Sequence, residues 1–514
     1  MQSIYFFLSA TLCLFLQKGD PSVSAPKMAF NSHKNLNFND VNTSTTTVNS
    51  VLNIPINPVD NEQPIILKSW DEIPVSAPSD AKTDEAEAMK IKKNVAEWDE
   101  IKRLNTQHWQ RYPLLRWNEF ARELIAAHNV PPRVLPDSSG YPTPNRAHPA
   151  DLPRYPFANP PYAARVLAYI SVAQHDALLA AQFYQTKFQK IAVSAGNPTA
   201  RAYPSAEAAV AAASAEVLKY MFPASIEEID EKLEMARQSA LATGKYAETD
   251  LKIGEKLGSA IAQKVIERAK TDGMEAAQGA TTQWQQVFNR RAESGQMAWV
   301  SKQKPVRPSI EPFFGNVRAW WATDVAKFRP AAPPATTSDD LKKEVDIVKR
   351  YCRGQDKPRM DTIVKWSDAE FSSTPVGHWN QIACDLLLKN KSGDVEIVRT
   401  LARLNRGLMD AAIVCWEAKT YYCYPRPSQV DPTVTPRLPL PNFPSYPSGH
   451  SVFSSAASTI LGNIFPSEAE NLNKMAEQAS ISRLYAGLHF QMDCEAGVIL
   501  GKKIGALAIE NGKK

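Results

Sequence analysis

None of the six cysteines forms a Cys-x-x-Cys pair, which removes zinc-finger and dithiol redox chemistry from consideration. There is no arginine-rich run, and a net charge of only +5 over 514 residues makes no electrostatic case for nucleic acid as a partner. Alternating polar and apolar strand patterns are scarce. Long apolar runs are missing as well, apart from residues 4–16 (IYFFLSATLCLFL), which are too short to span a bilayer comfortably. That length suits the core of a signal peptide, and the small residues Val23, Ser24 and Ala25 follow it. A secreted or periplasmic protein with residues 1–25 as its signal peptide is therefore expected, with an uncleaved anchor as the alternative.

Hydrophobic residues at 44% and charged residues at 22% give the balance of a globular protein. Its length allows a large core. Cys13 lies in the leader, and the remaining Cys352, Cys384, Cys415, Cys423 and Cys494 read as mostly buried free thiols. Residues 26–82, rich in Ser, Thr, Asn and Pro, read as a flexible linker. Beyond them apolar residues recur three and four apart, predicting helices over 161–182, 206–221, 226–242, 250–270, 340–352, 394–419 and 449–464. Ser225 with Glu228, and Ser467 with Glu470, have the spacing of capping boxes. Long Pro-rich loops separate these segments at 131–160, 305–334 and 426–447. The expected fold is all-α, packed helix bundles with an N-terminal helical region (83–335) and a C-terminal helical catalytic region (336–514).

Three stretches near the C-terminus carry chemistry: Lys419 to Pro427 (KTYYCYPRP), Pro447-Ser448-Gly449-His450, and Ser482 to Asp493 (SRLYAGLHFQMD). Singly, each has an ordinary structural explanation. A lysine at a helix C-terminus meets a favourable dipole, Pro-Ser-Gly opens helices, and a His–Asp pair four apart is routine. Together they supply what a tetrahedral oxyanion requires. Lys419 gives a point charge, Arg426 and Arg483 give forked donors, and Ser448 with the Gly449 N–H sits at a helix N-terminus.

In order and spacing the three stretches resemble the three-part motif of the type-2 phosphatidic acid phosphatase and vanadium haloperoxidase superfamily. The resemblance implies two four-helix bundles and an oxyanion held by Lys419, Arg426, Ser448, Gly449 and Arg483. It implies that His489 bonds the central atom, as a phosphohistidine-forming nucleophile or as the protein ligand of vanadium. His450 would be the acid–base residue at the opposite pole, and Asp493 would fix the tautomer of His489.

Several features are similar to haloperoxidases: the lead-in DAAIVCWEAK with Trp416, the aromatic Phe443 seven before His450, and WSDAEFSSTPVGHWNQIA from Trp366. The stretch QHDALLAAQFY around His175-Asp176 and the Ala-rich stretch 206–221 resemble bacterial secreted haloperoxidase-like proteins. Trp416 and Phe443 would then flank a halide or substrate pocket, and Asp368 would partner His450. Pro425 departs from the tryptophan that many haloperoxidases carry before the arginine, which leaves halide preference open. The implied function is a vanadium-dependent haloperoxidase oxidising halide with hydrogen peroxide, its cofactor vanadate. The alternative is a soluble periplasmic acid phosphatase acting on a phosphate ester without that cofactor. Apolar helix faces allow a homodimer. His108, His128, His148 and His378 have no motif around them, and His175-Asp176 reads as a structural pair.

Overall fold

The computed structural model describes residues 62–78, 81–134, 141–142, 144–151, 153–191, 202–353 and 356–512. The expected signal peptide and most of the expected linker lie outside them. Among the described residues there is no β-strand, and no helix is long and apolar enough to cross a membrane. The fold is all-α, as the 3.6-residue periodicity predicts.

Chain order gives α1 (Ala81–Ala96), α2 (Glu100–Gln110), α3 (Pro113–His128), α4 (Pro160–Phe188), α5 (Ala206–Met221), α6 (Ile226–Ala242), α7 (Glu248–Lys270) and α8 (Thr281–Glu293). The C-terminal part continues with α9 (Asp339–Cys352), α10 (Lys357–Lys365), α11 (Thr374–Lys389) and α12 (Asp394–Tyr422). A short α13 (Pro427–Val430), then α14 (Gly449–Ile464), α15 (Ala469–Tyr485) and α16 (Gln491–Asn511), complete it. Three helices, 206–221, 226–242 and 449–464, have the bounds that the sequence pattern predicts.

Helices α4 to α7 pack together, as do α12, α14, α15 and α16, and the two groups meet where α4 lies along α12. Small residues set the closest approaches. On α7, a Cβ at Gly258 would fall 2.0 Å from the Ala209 carbonyl oxygen of α5. On α16, Cβ atoms at Gly497 and Gly501 would lie 2.7 Å from the Ser448 oxygen and 2.3 Å from the Val452 oxygen. These glycines, four apart on one face, let the α16 backbone rest on the N-terminal half of α14. A buried chain of amides ties other helices together: Asn118 donates to Asn380 (2.8 Å), Asn380 to Asn405 (2.7 Å), and Asn405 to Ser171 (2.9 Å). Satisfied in this way, polar side chains specify which helices meet without the cost of unpaired amides.

Two local expectations fail. Neither capping box forms: Pro223 and Pro466 each open a 3-10 turn that takes up the serine, and neither α6 nor α15 has a side-chain cap bond. Residues 62–78, assigned by composition to the linker, are held against α4. The Asp176 carboxylate accepts from the backbone N–H groups of Ile65, Ile66 and Leu67, and Trp70 is buried. His175 completes the clasp, with Nδ1 2.8 Å from Asp176 and Nε2 3.7 Å from Glu62. The five described cysteines are buried and free. Burial pushes their thiols up, to about 11 for Cys352 and Cys415 and about 12 for Cys384, Cys423 and Cys494.

Candidate active site

Each of the three stretches sits at a helix end, and the glycine-mediated contact of α14 with α16 brings two of those ends together. Lys419 lies in the last turn of α12, which stops at Cys423 in a left-handed conformation (φ 42°). The Pro-rich loop then folds back, its return marked by the Ser445 N–H donating to the Tyr424 carbonyl (2.9 Å). Ser448 caps α14, its hydroxyl oxygen accepting from the Ser451 N–H at 3.4 Å, which leaves its own O–H free to donate. Arg483 lies in the last turn of α15, and Gly487 (φ 67°) turns the chain so that His489 precedes α16.

Lys419 is 1% exposed, and its ammonium donates to three carbonyls, of Pro444 (2.8 Å), Ser445 (2.9 Å) and Pro447 (2.6 Å). Arg426, also 1% exposed, donates to the carbonyls of Phe443 (3.0 Å) and Leu488 (2.9 Å) and to His489 Nε2 (3.0 Å). Arg483 donates to the Ser482 hydroxyl (2.9 Å) and to the Trp366 carbonyl. Among the described residues none of the three cations forms an ion pair with a carboxylate. Burial, with Arg426 nearby, pushes the Lys419 ammonium down to about 7. Burial likewise pulls Arg426 and Arg483 to about 10.

His489 donates from Nδ1 to the Asp493 carboxylate (2.9 Å), which fixes the proton there and turns the Nε2 lone pair towards Arg426. Burial holds this imidazole well below its usual range, reinforced by Arg426, Lys419, His450 and Arg483. The same oxygen of Asp493 accepts from the Ser445 hydroxyl and from the Phe490 N–H (3.1 Å), so one carboxylate caps α16 and orients the histidine. Burial pushes that carboxyl up to about 6, and its other oxygen has no hydrogen-bond partner.

His450 opens α14. Its Nε2 lies 3.5 Å from Asp368 Oδ2, too far for a strong hydrogen bond, and both atoms lack any other partner. Burial, with Arg483 beside it, pushes His450 down to about 4. Trp416 is buried with its indole N–H on the Ile310 carbonyl (3.1 Å). Its ring lies 5.1 Å from that of Phe443, which faces both Lys419 (5.1 Å) and Arg426 (5.3 Å). One surface hollow lies elsewhere, beside Glu417 of α12, and no residue of the three stretches lines it.

The chemistry-bearing residues picked out by sequence therefore meet in one buried cluster. Two residues of the cluster are not picked out by the sequence motifs. Ser445 is hidden in a Pro-Ser-Tyr-Pro turn, and His378 lies on α11 with its Nδ1 3.0 Å from Asp368. The only hint of His378 is its place ten residues after Asp368.

Residues 403–511 match the model of the PAP2 superfamily. This region belongs to the PAP2 superfamily. Among curated proteins no relative matches. Among solved structures, the chain is similar to one described as the first bacterial vanadium-dependent iodoperoxidase, at 22% identity and a TM-score of 0.58, over 77% of this chain and 95% of that one. It is also similar to a holo-type bacterial vanadium-dependent chloroperoxidase, at 16% identity and a TM-score of 0.50, over 72% of this chain and 96% of that one. At these identities the PAP2 region and its surroundings share the haloperoxidase-like fold.

The donor set fits a tetrahedral oxyanion such as vanadate or phosphate. Three enclosed cations lack carboxylate partners, the Ser448 hydroxyl points from a helix N-terminus, and a neutral imidazole presents a lone pair. An anion there would supply the missing negative charge.

Proposed function

We propose that this protein is an exported vanadium-dependent haloperoxidase, oxidising halide with hydrogen peroxide. The observation that carries the reading is His489: an imidazole tautomerised by Asp493, its Nε2 turned into a cluster of Lys419, Arg426, Arg483 and His450. The fold shared with bacterial iodo- and chloroperoxidases supports it.

In this reading the three cations exchange backbone carbonyls for oxyanion oxygens. Each bond traded is charge-assisted on both sides and worth about 1.5–3 kcal/mol. Arg426 would donate to an oxygen of the oxyanion in place of His489 Nε2, leaving that lone pair to hold the central atom. Ser448 and the Gly449 N–H donate at the helix N-terminus. Bound vanadate would supply a Lewis-acidic centre of constant oxidation state that activates hydrogen peroxide. His450 begins neutral and takes a proton at Nε2, where Asp368 faces the charge that develops. Trp416 and Phe443 form the apolar wall that keeps a halide poorly hydrated.

A phosphomonoesterase is the second reading, favoured by the same Nε2 lone pair. His489 would attack phosphorus as the P–O bond to the leaving group breaks. His450, charged once the phosphate dianion is bound beside it, would give that group its proton and would regain one from the water that then releases phosphate from His489. The readings separate in one assay. The purified protein is given p-nitrophenyl phosphate, and separately orthovanadate, hydrogen peroxide and iodide, bromide or chloride. Vanadate-dependent halide oxidation is the expected result, and phosphate release that vanadate inhibits would establish the second reading instead. His489→Ala should cost about a thousandfold or more in either activity. Full turnover by that variant would overturn both.

A further inference from the structure

We propose that His378 is a positioning residue for His450, acting through the two oxygens of Asp368. The inference rests on the acid–base role given to His450 above. His378 donates from Nδ1 to Asp368 Oδ1 at 3.0 Å, and its ring stacks on Trp366 (centroids 4.5 Å apart, planes 24° apart). Trp366 in turn stacks on Trp379 (5.9 Å, 26°), and the Trp366 carbonyl accepts from Arg483. One side chain of α11 thus steadies a three-residue turn that serves an oxyanion-facing arginine and the partner of His450.

The turn needs steadying. Asp368 adopts φ 42°, a left-handed conformation that is uncommon outside glycine, although Asp tolerates it better than most residues. Its Oδ2 stops 3.5 Å from His450 Nε2, and both atoms are without a hydrogen bond. A modest rotation of the carboxylate would close that gap. The bond to His378 opposes the rotation by anchoring the other oxygen. The titratable or charged groups facing His450 are Asp368, His378 on α11, Arg483 on α15, and His489 before α16. With Asp368 held back, His450 stays neutral and able to accept a proton. With Asp368 released, the carboxylate would pair with His450 and hold a proton on it to higher pH.

The test uses the full chain labelled with 13Cε1-histidine. Its eight histidines give a countable set of resonances, that of His450 being assigned by its loss in His450→Ala. His378→Phe keeps a ring for the stack on Trp366 but removes the donor, whereas His378→Gln keeps an N–H donor. In His378→Phe the titration midpoint of His450 should rise by about one pH unit, as expected when a carboxylate closes on an imidazole. The acid limb of kcat should move with it, so that kcat measured below about pH 4 falls about tenfold, with KM little changed. His378→Gln should restore both. If His378→Phe does not fold, His378→Ala takes its place, with added imidazole as the rescue. An unmoved His450 midpoint, or a glutamine variant as impaired as phenylalanine, overturns the proposal. The resonance titrates whether or not the protein turns over halide or phosphate ester. A moved midpoint in a protein without either activity would leave the positioning intact and refute the proposed function alone.

Discussion

Replacing Gly497 with alanine should weaken oxyanion binding through a contact made by no ligand-facing group. The new Cβ would sit 2.7 Å from both the Ser448 carbonyl oxygen and the Ser451 Cβ, where ordinary contact begins near 3.4 Å. Helices α14 and α16 must then part by about 0.7 Å. The Ser448 N–H to Asp493 carbonyl bond, now 2.9 Å, would stretch to about 3.6 Å and cease to be one. Overpacking costs about 1–3 kcal/mol, offset by about 1 kcal/mol of helix propensity, so stability should fall only slightly. Anion affinity should fall further, because Ser448 and Gly449 move away from Lys419 and His489. One misplaced charge-assisted bond, about 1.5–3 kcal/mol, corresponds to a Kd about ten- to a hundredfold weaker. Gly501→Ala is the control. Its Cβ would be tighter still, 2.3 Å from the Val452 oxygen, but one turn further from the site. Urea denaturation and calorimetric titration with orthophosphate read the two effects. If Gly497→Ala binds phosphate as the parent does, or loses no more affinity than Gly501→Ala, the coupling of helix spacing to the anion site is wrong.

Sulfate, whose charge is constant over the range, should bind less tightly as pH rises through about 7, where Lys419 gives up its proton, and by about tenfold for each further unit. The unfolded chain keeps that proton to about 10.5, so folding gains stability over the same window, and sulfate affinity that is flat from about pH 6 to 9 would refute the assignment. Asp176→Ala removes the acceptor of three backbone N–H groups, so hydrogen exchange at Ile65, Ile66 and Leu67 should rise by about two orders of magnitude or more, with Lys419 unaffected. Unchanged protection there would show that Trp70 burial, rather than the carboxylate, holds the segment.

The helices were legible because burial of one face imposes a 3.6-residue period, and that signal is strong over 206–221 and 449–464. Helix starts were less so. Ser225 and Ser467 have capping-box spacing, but a preceding proline fixes φ and favours a tight 3-10 turn, a choice that the spacing does not register. The chemistry of the site was legible because charge and imidazole are rare in a buried helix end and recur here in three places. Ser445 and His378 carry no motif of their own: Ser445 contacts a carboxylate forty-eight residues on, Asp493, and His378 contacts Asp368 ten residues before it, a spacing that no local pattern registers. The segment 62–78 escaped notice for the same reason: its polar composition is that of a linker, and its anchor lies more than a hundred residues away.

If the proposed haloperoxidase reaction is the one this protein runs, its product is hypohalous acid, and sulfur atoms are among the first groups that such an oxidant attacks. Oxidants attack thiolate in preference to thiol, and this interior keeps all five described cysteines protonated and away from water. On that reading the tight helix packing would shield the thiols from the product, whereas the thioethers of Met89 and Met297, 74% and 43% exposed, would be the sulfur atoms it reaches first.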